Sequence, residues 1–120
     1  MVTQHIRAAR VYDDPGPGDG TRVLVDRLWP RGLSKERARV DIWLKEVAPS
    51  RELREWYQHD PAKHAEFVRR YGAELVDRDH AAALAQLRAL VDTGPVTLLT
   101  ATKDLAISQA AALADHLRRD

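Results

Sequence analysis

The chain has no cysteine among its 120 residues, which excludes disulfides, thiolate nucleophiles and cysteine-bound zinc together. That absence fits a reducing compartment, and a cytoplasmic protein is expected. Long apolar runs are missing too. No stretch approaches the length of a membrane span, and the N-terminal Met-Val-Thr-Gln-His-Ile-Arg lacks the apolar core of a signal peptide, so no membrane partner is expected. No internal repeat, heptad run or low-complexity tail is present. A strong charge of one sign is also lacking. The net charge of +1 is too small to announce a nucleic-acid partner.

What remains is enough for one domain over residues 1–120, long enough to bury a core without covalent staples. The small net charge hides an uneven distribution. Residues 22–39 carry six basic groups (Arg22, Arg27, Arg31, Lys35, Arg37, Arg39) against Asp26 and Glu36. The basic charge is thus concentrated around one stretch, Arg22-Val-Leu-Val-Asp-Arg-Leu-Trp-Pro-Arg-Gly-Leu33.

Hydrophobic periodicity sets the expected elements. His5–Tyr12 reads as a first strand with Ile6, Ala8 and Val11 turned inward. Asp13–Gly20, with two prolines and three glycines, reads as a surface loop. Thr21–Trp29 is the strongest strand signal, apolar on both faces and so expected in the interior of a sheet. Pro30, lacking an N–H for the ladder, is expected to end it. Ser34 should cap a short helical turn, and Val40–Val47 is compatible with a short strand. Helices are expected from Ser50, from the Asp60-Pro61 cap to about Asp77, and over Asp79–Asp92 before Gly94-Pro95. Within them, Glu66 with Arg70 and Glu74 with Arg78 have the spacing of favourable ion pairs. Val96–Ala101 should form a buried strand, and Leu105 to about Leu117 the last helix. Strands, then helices, then a strand and a helix make an α/β domain, a small and mainly parallel sheet between helical layers.

Two constellations stand out as candidate sites. Asp26, Arg27, Arg31 and Gly32 gather at the end of the strongest strand, and ligands in open α/β sheets bind beyond the carboxyl ends of strands. Arg31, on a turn shaped by Pro30 and Gly32, has the fork geometry for a phosphate or carboxylate. The competing reading pairs Asp26 with a neighbouring arginine and leaves Arg31 solvated. Thr100-Ala-Thr-Lys-Asp104 is the second constellation. There Thr100, Thr102 and Lys103 offer hydroxyls and a cation to an anion near a helix start. Asp104 competes as the helix cap, and the glycines of a Walker loop are absent. Among His59, His64 and His80, the His-Asp-x-x-x-His spacing could supply metal ligands, but His59 and Asp60 fall at a break and share no helical face with His64, so no metal is expected, and no cofactor is expected either. Trp29, Trp43, Trp56 and Tyr57 are expected in the core, not on a base-stacking platform.

The stretch Arg22–Gly32, with Trp43-Leu-Lys-Glu-Val-Ala-Pro-Ser50, Glu52-Leu53, Phe67-Val-Arg-Arg-Tyr-Gly-Ala-Glu-Leu75 and Val96-Thr-Leu-Leu-Thr-Ala-Thr-Lys103, resembles the YeaO-like family. These are small bacterial proteins classed as a domain of unknown function. The resemblance spans residues 6–118 and implies a compact α/β domain in the cytoplasm. It implies no activity, substrate or catalytic residues. Where related chains often carry Tyr-Ser-Ala-Lys, this one has Thr100-Ala-Thr-Lys103, which shifts the available hydroxyls.

The leading expectation is a domain that binds an anionic small molecule, a nucleotide or phosphorylated metabolite, between the Trp29–Gly32 and Thr100–Lys103 turns. Its ligand residues would be Arg27, Arg31, Gly32, Thr100, Thr102 and Lys103. An enzymatic alternative uses Asp26 or His59 as acid or base, with Arg31 and Lys103 stabilising negative charge. A third uses Lys35, Arg37 and Arg39 of the basic 31–39 segment to hold nucleic acid or another protein. The oligomeric state is left open.

Overall fold

The structure is a computed structural model and describes residues 5–119. Most of the N-terminal segment read for a targeting signal lies outside them. Four strands form one parallel sheet: β1 (Ile6–Arg10), β2 (Thr21–Leu24), β3 (Ile42–Trp43) and β4 (Val96–Thr100), in the order β1-β4-β2-β3. Five α-helices accompany it: α1 (Lys35–Ala38), α2 (Arg51–Tyr57), α3 (His64–Leu75), α4 (Arg78–Thr93) and α5 (Gln109–Arg118). The α/β expectation holds.

β4 lies in the middle, and all five of its residues are buried. Leu98 and Leu99 point to opposite faces, so the chain needs apolar cover on both sides. The larger cluster contains Val23, Val25, Leu98 and the inner faces of α2–α5, with Phe67 stacked between Tyr57 and Tyr71. The smaller contains Ala9, Val11, Leu24, Leu99 and Ala38 of α1, with Trp29 and Leu33 packed against them. Its helical cover is a single turn, far thinner than the layer opposite. Val11, expected to share a face with Ile6 and Ala8, belongs to this second cluster, because alternation places it with Ala9.

Polar groups inside the sheet have assigned partners. The Thr97 hydroxyl donates to the Asp19 carbonyl at 2.8 Å. Asp19 pairs with Arg7 and with Arg22 at 2.6 Å, and Arg22 also donates to the Ala38 and Arg39 carbonyls. Gly20 sits at φ +62°, where a Cβ would stand 2.1 Å from the Pro95 carbonyl oxygen. Only glycine allows that approach.

Five expectations are corrected. β2 stops at Leu24, with a last ladder bond from the Val25 N–H to the Leu99 carbonyl at 3.0 Å. Pairing ends there because β4 itself ends at Thr100, well before Pro30 intervenes. The Val40–Val47 strand contracts to Ile42–Trp43 and passes into a 3₁₀ turn over Lys45–Val47. Trp43 is half-exposed, with the Lys45 ammonium 5.2 Å above its ring. The last helix divides at Ser108, whose hydroxyl accepts from the Ala111 N–H, and Leu105–Ile107 forms a separate 3₁₀ turn. Finally, Glu74 does not join Arg78; both its oxygens accept from Ser50, the N-cap of α2. Glu66 does pair with Arg70, at 2.8 Å, and also with Arg69.

Candidate functional site

The connection leaving β2 runs through α1 on the face of the smaller cluster. The connection leaving β4 runs into α5, which packs back over β1 and β4 on the opposite face. Neighbouring parallel strands whose connections diverge in this way open a crevice at their carboxyl ends, the usual ligand position in such sheets. The β2 and β4 ends, and so both turns singled out in the sequence, leave from this same end of the sheet.

Asp26 lies two residues beyond the end of β2. Its Oδ1 accepts from the Thr100 hydroxyl at 2.7 Å and from the Gln109 amide, and its Oδ2 accepts from the Ala101 N–H at 2.7 Å. Its three hydrogen-bond donors are neutral groups, not the neighbouring arginine of the competing sequence reading. Burial holds the Asp26 carboxyl above the usual aspartate range, and the donors from Ala101, Thr100 and Gln109 and the charge of His59 only partly offset this. Asp26 thereby fills donors that an anion at the Thr100–Lys103 turn would use. The α5 N-terminus is not free either, being capped by Ser108 and not by Asp104.

A chain of hydroxyls extends from the carboxylate to the surface. Thr100 Oγ1 lies 3.0 Å from Thr102 Oγ1, which lies 3.3 Å from His59 Nε2. His59 is exposed, and it follows Gln58 in a run of two left-handed residues at φ 46° and 54°. Holding two non-glycine residues there costs about 1–3 kcal/mol each, which the α2 C-terminus and the Asp60-Pro61 start of the next turn sustain. The Tyr57 ring lies 5.7 Å from His59, and its hydroxyl donates to the Ile107 carbonyl at 2.7 Å. Burial raises the Tyr57 pKa, aided by Asp104 and Asp60.

Of the expected ligand residues, Thr100 and Thr102 join Asp26 and His59 in one network. Arg27, Arg31, Gly32 and Lys103 are exposed, and the three cations make no hydrogen bond or ion pair with any described residue. The Trp29–Leu33 turn is tied to itself and to β3. The Trp29 indole donates to the Leu33 carbonyl at 2.7 Å and meets Trp43 edge-on at 5.5 Å, while the Trp43 indole donates to the Asp26 carbonyl at 2.8 Å. This leaves Arg31 and Gly32 at the exposed tip. The other histidines serve elsewhere. His64 meets the Tyr57 hydroxyl at 3.0 Å, and His80 spans Asp77 and the Ala48 carbonyl. Among the described residues, no group of three His, Cys, Asp or Glu side chains could hold a metal ion.

Lys35 and Arg37 lie on α1 and Arg39 is its C-cap, and all three are exposed. Arg37 and Arg39 line a cleft of about 540 Å³ that also takes in Asp13, Asp14 and Glu36, so its surface is of mixed sign. Gln109 is the site residue that sequence reasoning missed. Its signal was its place in the first turn of the helix after the last strand, which faces the carboxyl edge of a parallel sheet.

Among the described residues no helix is long and apolar enough to cross a membrane. A family model described as "Inactive DUF488-N3 subclade" matches residues 5–120. The chain is 55% identical over 112 residues to Uncharacterized protein Rv3073c of Mycobacterium tuberculosis, covering 93% of this chain and 92% of that protein. It is 40% identical over 114 residues to Uncharacterized protein YeaO of Escherichia coli, covering 95% and 97%. No solved structure matches. The chain therefore belongs to the YeaO-like family, within the subclade described as inactive DUF488-N3.

Proposed function

We propose that the crevice beyond β2 and β4 binds a small phosphorylated molecule of the nucleotide or sugar-phosphate class. The observation that supports this best is the convergence of Asp26, Thr100, Thr102 and Gln109 at the point where the two strands' connections diverge. Asp26 Oδ2 accepts one protein hydrogen bond and retains a lone pair for a ligand hydroxyl or amine. Arg27, Arg31 and Lys103, whose cations have no partner among the described residues, supply the charge for the phosphate. A cytoplasmic setting is part of this reading. In a thermal-unfolding screen of nucleotides, sugar phosphates and inorganic phosphate, a bound compound at about 100 times its Kd adds roughly 2.7 kcal/mol. Arg31→Ala and Lys103→Ala should each reduce that gain. Stabilisation that survives both substitutions would move the site elsewhere.

A second reading is enzymatic, with Asp26 or His59 as acid or base. Its support is a carboxyl raised by burial and joined through two hydroxyls to a histidine. The family description as inactive, the exposure of His59 and the paired state of Asp26 weigh towards binding. The acidic neighbours of Arg37 and Arg39 likewise weigh against a nucleic-acid surface on the 31–39 segment.

A further inference from the structure

The Asp26 carboxylate is held by three neutral donors that owe nothing to its own strand. They come from β4 (Thr100), the turn after it (Ala101) and α5 (Gln109). Two of the donors are themselves aimed by neighbours. The Thr102 N–H donates to Thr100 Oγ1 at 3.1 Å, leaving that hydroxyl's proton to point at Asp26. Gln109 accepts from the Thr102 hydroxyl at 3.4 Å and donates to Thr100 Oγ1 at 3.2 Å, which turns its NH₂ towards the carboxylate. The third donor, the Ala101 N–H, is fixed by the backbone leaving β4. The three donors thus converge on the two coplanar oxygens of Asp26, and Thr102 Oγ1, at 3.0 Å, is the other acceptor within reach of the Thr100 proton.

We infer that Thr100, Ala101 and Gln109 form a carboxylate-binding seat, that Asp26 occupies it in the free protein, and that a small planar carboxylate takes it when the Asp26 side chain is absent. Asp26 is thus a resident competitor. Tethered to β2, it is present at high effective concentration, and a carboxylate-bearing ligand reaches the seat only by displacing it. The inference rests on the reading of this crevice as a ligand site, but not on the ligand being phosphorylated. Donor geometry also separates the classes, since two coplanar oxygens match a carboxylate better than a tetrahedral oxyanion.

The test uses the full chain as wild type, Asp26→Gly and Asp26→Ala, with thermal unfolding followed over formate, acetate and sulfate series at ionic strength matched with chloride. In Asp26→Gly the missing atoms are those of acetate, so acetate should raise the melting temperature saturably. In Asp26→Ala the retained Cβ should restrict the effect to formate. Wild type should show only the general salt response, and sulfate should give no more than that in any variant. Adding Gln109→Ala to Asp26→Gly should weaken acetate binding roughly tenfold.

A saturable, carboxylate-specific rise in the two Asp26 variants supports the seat, including the case where acetate restores folding to an otherwise unfolded Asp26→Gly chain. Equal rises in wild type, no rise in either variant, or chains that stay unfolded with acetate and formate present would overturn it. The phosphorylated-ligand reading is tested on wild type through Arg31 and Lys103, so either idea can fail without the other.

Discussion

Asp26 carries the chemical interest of this protein because it is a half-buried carboxylate whose hydrogen-bond donors among the described residues are all neutral. Burial raises its pKa in the folded state, so between the unfolded value, about 3.9, and the folded one the native chain binds a proton that the unfolded chain has released. Its contribution to stability is therefore fully present below the unfolded value and is lost as pH rises through the folded one. Asp19 runs the other way. Burial pushes its carboxyl up, but hydrogen bonds from Arg7, Gly16 and Arg22 outweigh this and leave it below the usual range. That contribution is present above the unfolded pKa and lost as pH falls through the folded one. Asp26→Asn isolates the first effect. Its stability relative to wild type in urea unfolding should rise as pH increases above about 4 and level off once pH passes the folded pKa of Asp26. A difference that stays constant across that range would show that burial of the charge is not what perturbs Asp26.

Helix α2 shows how one local signal serves a long-range contact. Ser50 accepts from the Leu53 N–H as a helix cap, while its own N–H and hydroxyl donate to Glu74 on α3. The sequence signal for the cap was sound. The i,i+4 signal for Glu74 with Arg78 was not, since an exposed helix pair is worth only a few tenths of a kcal/mol and a carboxylate accepting two donors is worth more. Ser50→Ala should cost about 1–2 kcal/mol, and Glu74→Ala a similar amount. In a double-mutant cycle the two should couple by about 1 kcal/mol. Additive losses would show that the cap alone matters. Ser108 at the start of α5 follows the same capping rule without such a partner.

Across the whole molecule, order is unevenly distributed. β4 is central, fully buried and paired on both sides, whereas β3 is two residues long and α1 a single turn over the smaller cluster. Native-state hydrogen exchange should find the slowest amides in β4 and the earliest opening in the 29–44 segment. Equal protection of both would contradict this gradient. The crevice stands on the steady side of it through Thr100 and Ala101, while Arg31 lies on the weakly held side. A ligand bridging the two would therefore order the 29–44 segment.

The amino-acid order by itself determined the class of fold, the buried β4, the helix starts at Ser34 and Ser50, the Asp60 cap (which starts a 3₁₀ turn over Pro61–Lys63, with α3 following from His64), and the strand-end position of Asp26, Thr100 and Thr102. These follow from periodicity, backbone chemistry and side-chain capping, which act within a few residues. Only the tertiary structure decided the strand order, the early end of β2, the separation of α5 from the 3₁₀ turn before it, and the partners of Asp26. Strand order depends on which elements bury the two faces of β4, and β2 ends where its neighbour ends. Gln109 reaches Asp26 across 83 residues of chain, and no local rule joins positions that far apart.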